Sequence, residues 1–305
     1  MAQPVLRLTR RSLLLGLAGA ATLGACGGDA KPGAAGKKIV AQGPAQWLIP
    51  FFSTGENEKP ILRTGVVQRM PFGLADKDGV PLSKIADKAT FTISREDKPV
   101  GEPFDVSRYG SGTPFPYYPA RVTFTTPGEY QIRTVVAGAA MERTVVVASP
   151  GDVDLVQPGE RAIPVVTPTK ADPRGVDPIC THDPPCPYHQ LPLTEALTNG
   201  KPTILLVSSP AYCQTNVCGP VLETLIEAEP KLHGMNVIHA EVYADAAAQQ
   251  GDVLQATLTE TVRAYRLSFE PSLLVIDAKG IVLDRLDFVF DSREFDAALD
   301  AAAGR

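Results

Sequence analysis

Residues 208–225 read SSPAYCQTNVCGPVLETL, with Cys213 and Cys218 five positions apart between an apolar run and an amphipathic segment. Such a pair can be a redox centre, a metal site or a structural bridge. In a regular helix, residues i and i+3 have Cα atoms roughly 5 Å apart, within disulfide reach, while i and i+5 stand roughly 8–9 Å apart and out of reach. The two cysteines therefore cannot both lie inside one regular helix and be bonded. Pro220 offers a way out, because Pro is favoured in the first helical turn and breaks an interior one. A helix starting near Pro220 leaves 213–218 as a loop closing onto its N-terminus. Free N–H groups and the macrodipole stabilise an anion there. They would lower a thiol pKa, and the thiolate is the nucleophile of disulfide exchange.

A second cluster lies upstream, where residues 178–190 read PICTHDPPCPYHQ. Three readings are open. Cys180 and Cys186 can form a structural disulfide, the first choice. They can be a second redox pair exchanging with Cys213–Cys218. Or Cys180, His182, Cys186 and His189 can hold a metal, two thiols and two imidazoles being a set that suits zinc or copper. The C-x5-C spacing lacks the short C-x2-C knuckle of zinc fingers. His233 and His239, near a candidate strand, read as packing or surface positions.

The elements that must position these residues alternate over 179–305. Leu193–Thr198 reads as a short helix, 202–208 as a buried strand (TILLV), Gly219–Leu232 as an amphipathic helix and 236–243 as a strand. A helix over 254–265 follows, then a hairpin of 272–277 and 281–286 turning at Ala278-Lys279-Gly280. Ser292–Ala303 reads as the last helix, N-capped by Ser292. The order is β-α-β-α-β-β-α.

That order and several local stretches resemble the thioredoxin superfamily over roughly residues 190–305. ILLVSSPAYC resembles the strand and loop leading to the first cysteine, with Tyr212 before Cys213. Phe269-Glu270-Pro271-Ser272-Leu273 resembles the proline loop that faces the thiols, whose proline is usually cis, and SLLVIDAKGIVLDRL resembles the last two strands. The resemblance implies a three-layer α/β/α domain and thiol–disulfide exchange. Cys213 would attack, Cys218 would resolve, and Tyr212, Glu270 and Pro271 would meet the substrate polypeptide. Two departures stand out. The family motif is C-x-x-C, whereas here it is C-x-x-x-x-C. The acid commonly buried beneath the thiols comes from the preceding strand, and TILLV has none. Cys218-Gly219-Pro220-Val221 also copies a CGPC motif without its last Cys, a register in which Cys218 would attack. Sco-type copper chaperones, membrane-tethered proteins using C-x-x-x-C and a distant His, give an alternative function. A non-catalytic adaptor on a degenerate thioredoxin fold is a third. No phosphate-binding Gly-rich loop is present, so no organic cofactor is expected.

Residues 38–149 read as all-β, with candidate strands at 65–70, 89–94, 121–126, 130–136 and 143–148. Val122, Phe124, Ile132 and Val135 can supply the buried faces. TTPGEYQIRTVV resembles the tyrosine-corner region of immunoglobulin-like domains, with Tyr130 at the corner, which implies a β-sandwich. The aromatic, Pro-rich loop over 107–118 reads first as packed on its own domain and second as a contact surface. Residues 150–178, rich in Pro, Gly and Asp, read as an extended interdomain linker.

The first 25 residues resemble a twin-arginine export signal, with Arg10-Arg11 ahead of an apolar run too short to span a bilayer. Leu23-Gly24-Ala25-Cys26 resembles a bacterial lipobox, which implies acylation of Cys26, and 26–37 read as a flexible tether. The expected location is the outer face of a bacterial cell membrane. The segment holds three arginines and no acids, so its removal would leave 26 Lys and Arg against 34 Asp and Glu, a formal charge of −8. Such a surface argues against nucleic acid. The expected partners are proteins with thiols or disulfides, a redox partner, and the membrane through lipid on Cys26.

Overall fold

A computed structural model describes residues 43–213 and 215–302. The export segment, Cys26 and the tether lie outside the described residues.

The first half folds into β1 (Trp47–Pro50), β2 (Leu62–Arg63), β3 (Val67–Ala75), β4 (Lys88–Arg95), β5 (Lys98–Pro99), β6 (Phe104–Ser107), β7 (Tyr118–Thr123), β8 (Gly128–Val136) and β9 (Ala139–Ala148). One sheet runs β1-β3-β7; the other runs β2-β9-β8-β4-β5, with β6 on β4. The sheets meet through aromatic side chains: Phe91 of β4 lies 5.8 Å from Phe72 of β3 and 6.0 Å from Tyr118 of β7, centroid to centroid. Strand β8 shows why. Its side chains alternate, so Tyr130, Ile132, Thr134 and Val136 point inward. That period places Val135 outside, 51% exposed, against the expectation that it is buried. The Tyr130 hydroxyl donates to the Thr126 carbonyl at 2.6 Å, closing a corner four residues long.

The second half adds α1 (Leu193–Ala196), β10 (Thr203–Val207), α2 (Cys218–Glu227), β11 (Asn236–Ala240), α3 (Glu260–Ala264), β12 (Ser272–Ile276), β13 (Val282–Asp287) and α4 (Ser292–Ala302). The sheet order is β11-β10-β12-β13. Strands β10 and β11 are parallel, and β12 is antiparallel to both β10 and β13. Every residue of β10 is buried because both faces are covered. Ile204 and Leu206 pack with Val221 and Leu225 of α2 and Phe295 of α4. Leu205 and Val207 pack on the opposite side, with Leu193 of α1 and Val262 of α3.

Among the element boundaries that differ from expectation, three have clear local reasons. Helix α3 starts late, because Leu258 bridges Tyr243 and Thr257 is held by the Asp245 carboxylate. Helix α2 ends at Glu227 and gives way to a 3-10 turn over Glu229–Lys231, since Pro230 cannot donate to a continuing helix. The N-cap of α4 is Asp291 instead of Ser292: its Oδ1 accepts from the Glu294 N–H at 3.0 Å.

The 150–178 connector is extended but packed. Ala162 N–H donates to Gly280 O and Val282 N–H to Glu160 O, both across the free side of β13. Leu155, Val156, Ala162 and Val165 are buried in a core shared by both halves. The halves are also joined by charge. Arg69 of β3 makes a bidentate pair with Glu294 of α4 at 2.6 and 2.7 Å, and Arg121 of β7 pairs with Asp284 of β13 at 2.9 and 3.1 Å. The aromatic loop ahead of β7 reaches across as well, rather than packing on its own half alone. Gly110 and Ser111 donate their N–H groups to Asp291 Oδ2, and the Tyr117 hydroxyl donates to Glu294 at 2.8 Å. Only glycine suits the bend at 110: φ is +113°, and a Cβ would meet Pro116 Cα at 2.7 Å.

Candidate active site

Strand β10 ends at Val207, and a 3-10 turn over Pro210–Tyr212 delivers Cys213. Helix α2 begins at Cys218, so Cys213 stands outside it. The loop between them brings the Cα atoms to 5.9 Å, and the two cysteines are disulfide-bonded. Cys218 is fully buried, while Cys213 is half-buried. The Cys218 N–H, one of the unpaired donors at the start of α2, points at Cys213 Sγ from 3.3 Å, and Thr215 Oγ1 lies 3.4 Å from the same sulfur.

The carboxylate missing from TILLV comes from elsewhere. Glu270 Oε2 lies 3.4 Å from Cys218 Sγ and accepts the Ser209 N–H at 2.8 Å. Burial pushes the Glu270 carboxyl up to about 7, outweighing the Ser209 hydrogen bond. A second acid, Glu241 just beyond β11, accepts from the Ser209 hydroxyl at 2.5 Å and from Thr181 N–H at 2.7 Å. Burial raises its pKa as well. Ser209 thus links the two carboxyl groups beneath the cysteine pair.

The Glu270–Pro271 bond is cis, as the resemblance implies, and Pro271 leads into β12. Its carbonyl accepts from Phe288 N–H at 2.8 Å, so that oxygen serves the sheet's own edge. A groove of about 420 Å³ opens beside the pair. Thr215 and Val217 of the cysteine loop, Phe269 and Phe288 of the proline side, and Phe51 and Phe115 of the first half line it. Cys213, Phe51, Tyr109 and Phe115 pack around Tyr117, Val217 and Val289. Phe51 lies over Gly73, where a Cβ would sit 2.3 Å from its ring. Tyr212, expected to meet substrate, is half-buried beside Gly251 and does not line this groove.

The upstream cluster differs both from the expected Cys180–Cys186 disulfide and from the expected four-residue metal set. Cys180 and Cys186 are buried free thiols, not a disulfide. His182 is not with them; its Nδ1 lies 2.6 Å from the Pro184 carbonyl near the surface. His239, the buried penultimate residue of β11, takes its place, and Cys180, Cys186, His189 and His239 converge. A histidine inside the apolar strand NVIHA was the signal available. Cys180 is held well below the usual thiol range by its hydrogen bond from Cys186, with the two histidines adding to the effect. Cys186 is pushed up by sharing that proton and by burial. The Sco-type alternative calls for a histidine at the Cys213–Cys218 pair; the third metal-capable side chain there is Glu270.

No family model matches the chain. No curated protein matches it either. Thioredoxin-family structures are among its structural neighbours. One, from Chlorobium tepidum, is provisionally described as a thiol:disulfide interchange protein, DsbE. It shares 17% identity and a TM-score of 0.32, covering 47% of this chain and 99% of its own. Another, described as a thiol:disulfide interchange protein of the thioredoxin family from Chlorobium tepidum TLS, shares 15% identity and a TM-score of 0.28. It also covers 47% of this chain and 99% of its own. Likeness at that level carries no functional weight by itself.

Proposed function

We propose that the chain is a thiol–disulfide oxidoreductase acting on other polypeptides. The observation that carries this reading is a bonded cysteine pair at the start of a helix, with one sulfur accessible beside an apolar groove and the other buried on a carboxyl of raised pKa. In the reducing direction, the Cys213 thiolate attacks a substrate disulfide, forming a mixed disulfide and releasing one substrate thiolate, which takes a proton. Cys218 gives its proton to the Glu270 carboxylate and attacks Cys213 Sγ. The second substrate thiol leaves with that proton, and two electrons have passed from the pair to the substrate. A dithiol partner reverses the change on the pair. The same steps run backwards against a substrate of lower potential, so the direction follows the partners' potentials. Cys213 is assigned the attack because Cys218 is buried. Phe51, Phe115, Phe269 and Phe288 would hold the substrate chain; Pro271 does not line that groove and would act by setting the path of the loop that carries Phe269 and Glu270.

The first half is read as an immunoglobulin-like sandwich, supported by the Tyr130 corner. From the sequence alone, the chain is read as exported by its paired arginines and anchored through lipid on Cys26. Mass spectrometry of the membrane-associated protein tests that anchor: the expected N-terminal peptide begins at an acylated Cys26. Recovery of an uncleaved or unmodified N-terminus rules it out.

The decisive experiment on activity is trapping. Cys218→Ala should accumulate mixed disulfides through Cys213, and Cys213→Ala should form none. Equal trapping by both variants, or by neither, overturns the assignment.

A further inference from the structure

The cluster at the head of the second half is independent of the cysteine pair. Cys186 Sγ lies 3.3 Å from His189 Nε2 and 3.4 Å from His239 Nδ1, and Cys180 Sγ lies 3.8 Å from His239 Nδ1. All four donor atoms fall within 4.8 Å of one another. Their exposures are 4% for Cys180, 1% for Cys186, 1% for His189 and 0% for His239. A tetrahedral zinc ion, with Zn–S of about 2.3 Å and Zn–N of about 2.0–2.1 Å, puts neighbouring donors roughly 3.3–3.8 Å apart. The three separations fall in that range.

The surroundings suit a ligand set better than a set of hydrogen-bonded thiols. His239 Nε2 lies 3.0 Å from the Ser208 carbonyl, which it meets as a donor, leaving the Nδ1 lone pair directed at the cluster. The Cys186 N–H donates to Cys180 Sγ at 3.4 Å, a contact that orients a ligating sulfur. Two sulfurs and two ring nitrogens thus face one point, where one small cation satisfies them together. We propose that Cys180, Cys186, His189 and His239 form a closed, structural zinc site. Charge selects the divalent ion. Two thiolates and Zn²⁺ sum to zero, as a buried site requires, whereas Cu⁺ would leave a net anion close to the buried Glu241. With four protein ligands and no exposed face, the ion keeps no open position for substrate or water. Three ligands come from a ten-residue stretch ahead of α1, and the fourth comes from the C-terminal part of β11. Bound zinc would therefore pin that stretch to the sheet. This proposal does not rest on the oxidoreductase reading.

The test uses the full chain carrying Cys213→Ser and Cys218→Ser, so that the redox pair cannot bind metal. Purified with reductant, it should retain one zinc per chain. Cobalt substitution should give a thiolate-to-metal charge-transfer band and visible bands of tetrahedral intensity. His239→Gln should weaken zinc binding by on the order of 100-fold, and His182→Gln should leave it unchanged. If His239→Gln fails to fold, the cobalt spectrum and zinc content of the His239-containing chain decide alone. The proposal is overturned by absence of zinc and cobalt uptake, by an octahedral cobalt spectrum, or by binding of Cu(I) alone. A Cys180–Cys186 disulfide in protein prepared with zinc, or loss of binding in His182→Gln but not His239→Gln, overturns it equally.

Discussion

On the proposed oxidoreductase reading, Glu270 would tie the chemistry of the pair to pH. Its carboxyl is raised to about 7 by burial and lies against Cys218. Below that pH it is neutral and cannot take the Cys218 proton; above it, the carboxylate is a base within reach. Resolution by Cys218 should therefore quicken as pH rises through about 7. Glu270→Gln should remove that inflection and slow resolution at higher pH by on the order of 10²-fold. Single-turnover release of substrate from the Cys213 mixed disulfide reads both effects. An unchanged inflection in the variant would assign the titration to another group. This residue was partly legible in the sequence: its place before the loop proline marked it for substrate contact. Its approach to Cys218 was not, because the resemblance places the buried acid in the preceding strand, and β10 carries none. A carboxylate reaching the sulfurs from the proline loop depends on how β12 lies against β10.

At the scale of elements, the start of α2 decides whether the cysteines can bond. Beginning the helix at Cys218 keeps Cys213 outside it, and the longer loop closes the gap that an unbroken helix would leave. Pro220 signalled this locally, which is why the pairing could be anticipated from spacing. The start of α4 was harder to read. Asp291 caps it through Oδ1 while Oδ2 accepts from Gly110 and Ser111, so one side chain starts a helix and docks a loop 180 residues away. Asp291→Ala should cost about 1–2 kcal/mol for the cap alone. It should also raise protease cleavage within 110–116. Chemical denaturation and limited proteolysis measure the two effects; a loss of stability without new cleavage would confine Asp291 to its helix.

For the whole molecule, the contact between the halves has two consequences. Arg69 and Glu294 each keep only 5% of their side-chain surface exposed, and removing one partner leaves the other charge buried. Arg69→Met should destabilise the protein by about 3–5 kcal/mol in denaturant unfolding at neutral pH. Burial alone would raise the Glu294 carboxyl, but the Arg69 charge and hydrogen bonds outweigh it and hold the group below its ordinary value. A carboxyl depressed in the folded state lends stability above its unfolded pKa and loses it as pH falls through the folded one. The wild-type advantage over Arg69→Met should accordingly shrink on acidification below the ordinary carboxylate range. A gap that stayed constant with pH would place the cost of Arg69→Met in lost packing. The second consequence concerns substrate. Phe51 and Phe115 bring the first half to the edge of the cysteine groove. Phe115→Ser should raise KM for a polypeptide disulfide about tenfold, the scale of one lost apolar side-chain contact. It should leave turnover of a small aromatic disulfide nearly unchanged. Equal loss on both substrates would mean the substitution disturbed the cysteine loop itself.

By itself, the sequence determined the alternation of strands and helices after residue 190, the β-character of the first half, the corner at Tyr130 and the reach of Cys213 to Cys218. These follow from periodicity, turn residues and helix-start preferences, which act over a few residues. Only the tertiary structure decided that His239 joins Cys180, Cys186 and His189 while His182 turns away, that Glu270 lies against Cys218, and that the aromatic loop of one half borders the groove of the other. Each of these joins residues separated by roughly fifty to two hundred positions. Which ones meet is set by sheet order and by the packing of one half on the other, and local chain preferences do not encode either.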